Sequence, residues 1–329
     1  MPTPGPDPMI FSTHPLHPTA TARLHARGDY VIASSPTAAA ILAEGTDAEV
    51  LIVRAPIPPE YFARATALRA AVRHGAGLDM VPMAVATDAG VVVANVPGAN
   101  AATVAEHAIF AAIALRRRFR IIDQTLRSTG WAAARAHADH SRDLGGATLG
   151  IIGFGNIGRR IGQLATAFGM TVIATTRRPE TLPAGIRAVS LNALVAAADV
   201  IVICCPLTDQ TRGSVNAARI AMMKPDAVLI NVARGPIIET DALVAALKEH
   251  RIGGAALDVF DTQPLPRDHP LFTLDNVILT PHVAGITEDS MARMGQVTAD
   301  EVLRILDGHL PLNFCNPEVA ARYRARFPV

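Results

Sequence analysis

The stretch LGIIGFGNIGRRIGQLA, residues 149–165, contains the glycine pattern G-x-G-x-x-G at Gly153, Gly155 and Gly158. The pattern follows an apolar run typical of a strand and opens an amphipathic helical segment, the context in which it binds a dinucleotide. The first glycine permits a tight turn, the second lets the backbone approach a pyrophosphate, and the third lets helix and strand pack closely. Free N–H groups at the start of the helix then face the phosphates. The predicted cofactor contacts here are Gly153, Gly155, Asn156, Ile157 and Gly158.

The end of the next strand, in MTVIATTRRPE, predicts which dinucleotide binds. A site for NAD would place Asp or Glu there to bind the ribose hydroxyls, whereas this chain has Thr176, Arg177 and Arg178. A charge-assisted hydrogen bond to a 2′-phosphate contributes about 1.5–3 kcal/mol, which corresponds to a roughly 10- to 150-fold preference. We predict that NADP(H) is preferred, with NAD(H) as the second option. The alternative is that both arginines are solvated loop charges.

Short β-rich runs alternate with Ala- and Leu-rich helical stretches along the chain. Near-continuous apolar strands separated by helices predict an α/β fold whose parallel sheets are covered on both faces. The predicted strands are MIFST, EVLIV, GVVVANV, TLGIIGFG, MTVIAT, ADVIVICC, AVLINVA, GGAALDV and NVILT. A length of 329 residues, half of them apolar, suits two domains.

We predict a domain boundary near residues 96–101, where VPGAN precedes a long helix over residues 103–120. A final helix over residues 287–306 returns the chain to the first domain. The proline-rich first eight residues predict a loose tail. The predicted domains are 1–100 with 288–329, which binds substrate, and 101–287, which binds the dinucleotide.

The charge balance and the cysteines exclude several classes of protein. Thirty Lys+Arg against 29 Asp+Glu leave a net charge of +1, which offers no electrostatic case for nucleic acid or a membrane surface as partner. The three cysteines lack the spacing of a zinc site, so no metal is predicted. The N-terminus lacks the pattern of a signal peptide, and the apolar runs are too short to cross a bilayer. We expect a cytoplasmic protein.

Several further motifs follow one another in a fixed order: VPGANAATVAEH (96–107), PLT (206–208), MMKPDAVLINVARG (222–235), GGAALDVF (253–260) and LTPHVAG (279–285). Together with GFGNIG they resemble the D-isomer-specific 2-hydroxyacid dehydrogenases, the family of glyoxylate/hydroxypyruvate reductases, phosphoglycerate dehydrogenase and D-lactate dehydrogenase. The resemblance covers essentially the whole chain. It implies an NAD(P)-dependent oxidoreductase with two Rossmann-like domains, one of them flavodoxin-like, an active-site cleft between them, and usually a homodimer.

The resemblance assigns roles to three residues. Arg234 matches the arginine that holds the carboxylate and carbonyl oxygens of a 2-oxo acid, for which a planar guanidinium offers two parallel hydrogen bonds. His282 matches the proton donor, since ketone reduction adds a hydride at carbon and a proton at oxygen. Asp258 matches the residue that binds the nicotinamide amide, with a turn cap as the alternative.

The resemblance also implies substrate contacts in VRHGAGLDMV, where the backbone N–H groups of Ala76 and Gly77 would bind the substrate carboxylate. His74 lies in the same loop, with exposure to solvent as the alternative, and Asn100 is expected to border the active site. We predict that Trp131 is a packing residue. The remaining predicted cofactor contacts are Cys205, Pro206, Val232 and Ala233.

Gln263, in DVFDTQPLP, stands where the family normally has the glutamate that pairs with the histidine. A carboxylate would raise the pKa of that histidine by about 1–3 units, whereas an amide can orient the ring but supplies no charge. The first interpretation is a 2-oxo acid reductase with a more acidic pH optimum. The second is hydride transfer without proton transfer, as in the formate dehydrogenase branch of the family. A third is a cofactor-sensing binding protein, similar to the transcriptional corepressor of the same family.

Overall fold

In the computed structural model, residues 7–327 are described; residues 1–6 of the predicted tail lie outside them. The chain forms two compact units. One contains the residues up to Asn100 together with those from Ile286 onward, and the other is Ala101–Gly285. The second boundary thus falls two residues before the predicted one.

The described residues form twelve strands and thirteen α-helices. The strands are β1 (Met9–Ser12), β2 (Asp29–Ile32), β3 (Val50–Val53), β4 (Ala70–Arg73), β5 (Val92–Ala94), β6 (Thr148–Ile152), β7 (Thr171–Thr175), β8 (Arg187–Ala188), β9 (Val200–Ile203), β10 (Val228–Asn231), β11 (Gly254–Leu257) and β12 (Val277–Leu279). The helices are α1 (Pro18–His25), α2 (Ala38–Glu44), α3 (Tyr61–Arg64), α4 (Met83–Asp88), α5 (Ala101–Arg116), α6 (Phe119–Ser128), α7 (Trp131–His137), α8 (Asn156–Ala167), α9 (Leu191–Ala197), α10 (Ala217–Ala221), α11 (Thr240–Lys248), α12 (Glu288–Leu306) and α13 (Ala320–Arg326).

Each unit is built on one parallel sheet. The first has the strand order β2-β1-β3-β4-β5, and the second has the order β12-β11-β10-β9-β6-β7-β8. All strand pairs are parallel. In such sheets the chain reverses its direction of winding at one point, and ligands bind outside the carboxyl ends of the strands there. In the second unit this point lies between β6 and β9.

Both sheets are buried on their two faces. In β9, Ile201 and Ile203 belong to one apolar cluster, whereas Val200 and Val202 belong to another on the opposite face. The first unit shows the same alternation along β3. Strands buried on both sides must be apolar throughout, which explains the continuous apolar runs. The predicted α/β fold with two parallel-sheet domains is confirmed.

Two details of the predicted elements are wrong. The helix expected over residues 103–120 is interrupted, because Arg118 adopts a left-handed backbone with φ 54° between α5 and α6. Trp131, expected to pack, is 77% exposed at the start of α7. Neither feature has a local signal, since no glycine or proline marks Arg118 and tryptophan is commonly buried.

Candidate active site

The glycine-rich turn connects β6 to α8 and has the backbone that the motif requires. Gly153 has φ 95°, and a Cβ there would lie 2.7 Å from atoms of Cys205. A Cβ on Gly158 would lie 2.4 Å from the carbonyl oxygen of Gly153. The first and third glycines are therefore required by close packing within the protein.

Gly155 differs from the other two glycines because a Cβ at this position would meet nothing within 4 Å. It directly precedes α8, and no side chain caps the start of this helix. The first N–H groups of a helix have no partner within it and attract anions. Open space beside uncapped N–H groups fits a dinucleotide pyrophosphate, with Gly155, Asn156 and Ile157 as the residues that would hold it.

The strand that follows, β7, ends beside two unpaired arginines. The backbone N–H of Arg178 donates to the Oγ1 atom of Thr176 over 3.2 Å, which forms a tight turn. Both Arg177 and Arg178 are exposed, and within residues 7–327 neither guanidinium has a hydrogen bond or ion pair. Both remain available to bind a phosphate.

Cys204 and Cys205 follow β9 and pack against the glycine-rich turn. The thiol of Cys204 donates to the carbonyl oxygen of Gly153 over 2.9 Å. Burial raises the pKa of both thiols, that of Cys205 to about 11. Both are therefore neutral packing groups at physiological pH. Pro206 continues this segment, and its carbonyl accepts from Thr211 Oγ1 over 2.8 Å.

Arg234 lies beyond the carboxyl end of β10, on a turn that is braced by a buried amide. The side chain of Asn231 donates to the carbonyl of Arg234 over 2.9 Å and accepts from the N–H of Ala233 over 3.0 Å. Val232, between them, is partly buried. The guanidinium of Arg234 donates to the carbonyl of Ala233 over 2.7 Å. The turn thus holds the backbone of Arg234 in an extended conformation just beyond the carboxyl end of β10.

The carboxylate of Asp258, after β11, holds the loop that follows β12. It accepts hydrogen bonds from Thr280 Oγ1 at 2.6 Å, from the N–H of Val283 at 2.8 Å and from the N–H of Ala284 at 2.9 Å. Asp258 is 2% exposed, so these bonds compensate for the burial of its charge. This geometry matches the turn-cap alternative, and the predicted contact with nicotinamide stays a prediction.

His282 lies on this anchored loop in a left-handed backbone conformation. Its φ is 58°, which is rare for a residue other than glycine. Its N–H donates to the carbonyl of Asp258 over 2.8 Å. Side chain and backbone of Asp258 together stabilise a conformation that presents the imidazole at the carboxyl edge of the sheet.

Gln263 contacts the imidazole directly. Its Oε1 atom lies 3.3 Å from Nδ1 of His282, and its Nε2 atom lies 3.5 Å from the carbonyl oxygen of Phe260. Because an amide oxygen can only accept, this contact requires the tautomer in which Nδ1 bears a hydrogen and donates a hydrogen bond to Gln263. The other ring nitrogen, Nε2, is then the atom that can exchange a proton with a ligand.

The remaining predicted site residues lie in the first unit. The loop after β4 contains Gly75 with φ 141°, then Ala76 and Gly77, whose N–H groups have no acceptor within residues 7–327. The side chain of Asn95 donates to the carbonyl of Ala76 over 2.8 Å and stabilises the loop. Asn100 directly precedes α5. The role of these residues as substrate contacts stays a prediction.

His74 is buried, with 4% of its surface exposed, so the alternative that it faces solvent is wrong. Burial, followed by the charges of Arg54 and Arg73, lowers its pKa to about 3. The Nε2 atom has no hydrogen-bond partner in the described part of the chain. His74 is therefore neutral at physiological pH.

Two residues that hold the site were not identified from the sequence, Asn231 and Thr280. Each is a polar residue inside or at the end of an apolar strand run, VLIN and VILT. A polar side chain in such a position must find a buried partner, which is the signal that could have identified both.

The described residues contain neither a metal-binding cluster nor a membrane-spanning helix. Across residues 7–327, no group of three or more His, Cys, Asp or Glu side chains is placed to hold a metal ion. The helices of the same region are all too short or too polar to cross a bilayer.

The arrangement defines a class of protein: a parallel α/β sheet with a dinucleotide turn, and an arginine and a histidine at the same carboxyl edge. A model of the family described as D-isomer specific 2-hydroxyacid dehydrogenase, NAD binding domain, matches residues 109–284, more than half of the chain. The chain belongs to this family, as its resemblance predicts. It is therefore an NAD(P)-dependent oxidoreductase.

Known relatives are similar over most of this chain. A D-3-phosphoglycerate dehydrogenase of Methanocaldococcus jannaschii is 36% identical over 93% of this chain, which spans only 59% of that protein's length. A glyoxylate reductase of Korarchaeum cryptofilum is 34% identical over 83% of each chain. The structure of an NADPH-dependent glyoxylate/hydroxypyruvate reductase from Sinorhizobium meliloti, in complex with NADP and malonate, has a TM-score of 0.83 and 29% identity, covering 94% of this chain and 97% of that one.

Proposed function

We propose that this chain reduces a small 2-oxo acid, such as glyoxylate or hydroxypyruvate, to the D-2-hydroxy acid with NADPH. The observation that carries the proposal is the imidazole of His282, whose loop is held by Asp258 at the carboxyl ends of the strands. A proton-exchanging group fixed in this way suits a reaction that protonates a carbonyl oxygen. The glyoxylate reductases among the relatives support the same reaction.

Each candidate site residue has a separate role in the proposed reaction. When held at the glycine-rich turn, NADPH would supply the hydride for the carbonyl carbon. Arg234 binds the substrate carboxylate and carbonyl oxygen through its planar guanidinium and thereby polarises the carbonyl. His282 donates a proton from Nε2 to the oxygen that becomes the hydroxyl. Gln263 keeps the ring oriented through Nδ1.

The preference for NADPH is supported by Arg177 and Arg178, which are exposed and unpaired within residues 7–327. Arginine forms strong, directional hydrogen bonds to phosphate. The absence of an acidic residue at the end of β7 also removes the group that would repel a 2′-phosphate.

A second candidate reaction is the oxidation of formate, and the contact between Gln263 and His282 favours it. An amide oxygen on Nδ1 orients the imidazole but does not stabilise its charged form as a carboxylate would. Such a pair also suits a hydride transfer that needs no proton. The arginine turn at Arg234 serves either substrate, because both are carboxylates.

A homodimer is the third part of the proposal. Helix α6 has no buried residue, although its sequence is amphipathic. Phe119 and Leu126 of this helix are exposed, as is Trp131 at the start of α7. Exposed apolar surface of this kind marks interaction sites, and a second copy of the chain is the partner that the family resemblance implies.

A cytoplasmic location stays a prediction.

The test is to measure oxidation of NADPH and of NADH with glyoxylate and hydroxypyruvate from about pH 5 to about pH 9. Faster turnover with NADPH, strongest on the acid side, supports the proposal. Turnover of formate with NADP and of no 2-oxo acid would replace it by the second candidate. Tight cofactor binding without turnover of either substrate would favour the cofactor-sensing binding protein.

A further inference from the structure

Gln263, which contacts the imidazole of His282, lies in an exposed segment of the chain. Residues 261–264 are all exposed, so the burial of apolar surface contributes little to fixing their position. The contact between Gln263 Oε1 and His282 Nδ1 spans 3.3 Å, and a shift of about 1 Å would break it. Specific contacts of the neighbouring residues therefore have to hold this segment in place.

Thr240, the first residue of α11, holds the start of this segment. Its Oγ1 atom donates a hydrogen bond to Oδ2 of Asp261 over 2.5 Å, a distance typical of charge-assisted O–H···O⁻ bonds. Glu239, which precedes the helix, provides no side-chain cap. The carboxylate of Asp261 thus lies beside the start of a helix, where the helix dipole favours a negative charge.

A second contact joins the same segment to the turn that carries Arg234. A Cβ on Gly235 would lie 2.0 Å from the carbonyl carbon of Phe260 and 2.3 Å from the backbone nitrogen of Asp261. The turn therefore packs directly against the peptide group between these two residues. The carbonyl oxygen of the same peptide group lies 3.5 Å from Nε2 of Gln263, so the backbone that supports the amide is itself enclosed.

We propose that Thr240 and Asp261 are positioning residues for His282, because their hydrogen bond fixes the segment that presents the amide of Gln263 to the imidazole. This inference rests on the proposed function, in which the oriented ring donates a proton. Without the bond the segment shifts and the amide oxygen leaves Nδ1. The ring is then free to turn and to exchange its tautomers.

The variant Thr240→Val removes the hydroxyl group at almost unchanged side-chain size. The kcat for reduction of glyoxylate is expected to fall about 2- to 10-fold, the range that one hydrogen bond supplies. The KM values for glyoxylate and NADPH should stay parental, because proton donation is an interaction of the transition state. Thr240→Ser keeps the hydroxyl and should retain the parental kcat.

Thr273→Val is the matched control for Thr240→Val. It removes a hydroxyl from the connection between β11 and β12 that donates to the carbonyl of Pro270 over 2.8 Å. Because this bond does not involve the segment of Gln263, the parental kcat should be retained.

A double-mutant cycle with Gln263→Ala separates positioning from stability. If Thr240 acts through the amide, Thr240→Val has no further effect on kcat once residue 263 is alanine. Equal losses of kcat in the parent and in Gln263→Ala would overturn the proposal. A lower Tm with a parental kcat would do the same, because the bond would then only stabilise α11.

The nitrogen chemical shifts of the His282 ring, measured by NMR, test the proposal without turnover. At a pH at which the imidazole is neutral, the hydrogen should reside on Nδ1 in the parent and be shared between both nitrogens in Thr240→Val. An unchanged tautomer in Thr240→Val overturns the positioning role, whatever the activity. Failure of the parent to reduce any 2-oxo acid overturns the proposed function alone, since the ring measurement still decides the role of Thr240.

Discussion

The Nδ1 atom of His282 lies 3.3 Å from the amide oxygen of Gln263, so an uncharged group holds the imidazole that we propose as proton donor. The contact fixes the orientation of the ring and the nitrogen that bears the proton. It does not supply the negative charge that would stabilise an imidazolium. The acidity of this histidine should therefore depend strongly on the residue at position 263.

Replacement of Gln263 by glutamate is expected to move the pH optimum of 2-oxo acid reduction upward. A carboxylate beside the imidazole favours its charged form and raises its pKa by about 1–3 units, so the proton-donating form persists to higher pH. The measurement is the pH dependence of kcat/KM for Gln263→Glu and the parent. Coincident profiles would mean that residue 263 does not control protonation of His282.

Replacement of Asp258 by asparagine is expected to lower kcat because the loop that carries His282 shifts. The protonation of His282 itself is not expected to change. The new NH₂ group would face N–H donors of Val283 or Ala284, which breaks charge-assisted hydrogen bonds of about 1.5–3 kcal/mol each. A misplacement of about 1 Å can cost roughly 100-fold in rate. In the pH dependence of kcat, the apparent pKa values should stay unchanged while the maximal value of kcat falls.

The control for Asp258→Asn is Asp268→Asn, because Asp268 is an exposed carboxylate in the connection between β11 and β12. This variant should retain the parental kcat. A normal kcat in Asp258→Asn would show that the carboxylate does not position the loop of His282.

Replacement of Arg177 and Arg178 by serine is expected to raise the KM for NADPH roughly 10- to 150-fold, since one charge-assisted contact contributes about 1.5–3 kcal/mol. The KM for NADH should change little, because NADH has no 2′-phosphate. Initial rates with each cofactor measure both values. Arg324→Ser, at an exposed arginine of α13, serves as control, and equal losses for NADH and NADPH would contradict a 2′-phosphate site.

Acid should destabilise the protein partly through His74. Burial, with Arg54 and Arg73, lowers its pKa in the folded state to about 3, against 6.5 for the unfolded chain. Between these values only the unfolded state binds the proton, so stability is present above about pH 6.5 and is lost as the pH falls toward 3. The Tm of His74→Gln should decline less steeply with acid over this window.

The exposed His309 of the same unit provides the comparison for His74. His309→Gln is expected to follow the parental curve of Tm against pH. Parallel curves for the parent and His74→Gln would show that His74 takes up no additional proton on unfolding.

Introduction of a charge on α6 should dissociate the proposed homodimer. Leu126→Asp places a carboxylate on an exposed apolar helix face, and burial of an unpaired charge at an interface is costly. Light scattering coupled to size-exclusion chromatography should show half the parental mass. Leu312→Asp, at an exposed leucine of the first unit, should keep the parental mass; a monomeric parent would refute the dimer itself.

The sequence allowed nine of the twelve strands to be predicted, and the three that were missed share a cause. Strand β4 is AAVR, whose alanines are typical of helices, and β8 has only two residues, Arg187 and Ala188. Strand β2, DYVI, begins with an acidic residue. Local patterns identify continuous apolar runs, and each of these three strands contains a charged residue, Asp29, Arg73 or Arg187, which none of the nine predicted strands has within its bounds.

The sequence by itself determined the α/β architecture, the glycine turn at Gly153–Gly158 and the residues at the carboxyl ends of the strands, because strand periodicity and turn chemistry are local. Only the tertiary structure decided that His74 is buried and neutral, that Trp131 is exposed, and that the carboxylate of Asp258 holds the loop of His282. These properties depend on which distant segments surround a side chain. Burial and hydrogen bonding are set by that surrounding, and no short pattern encodes it.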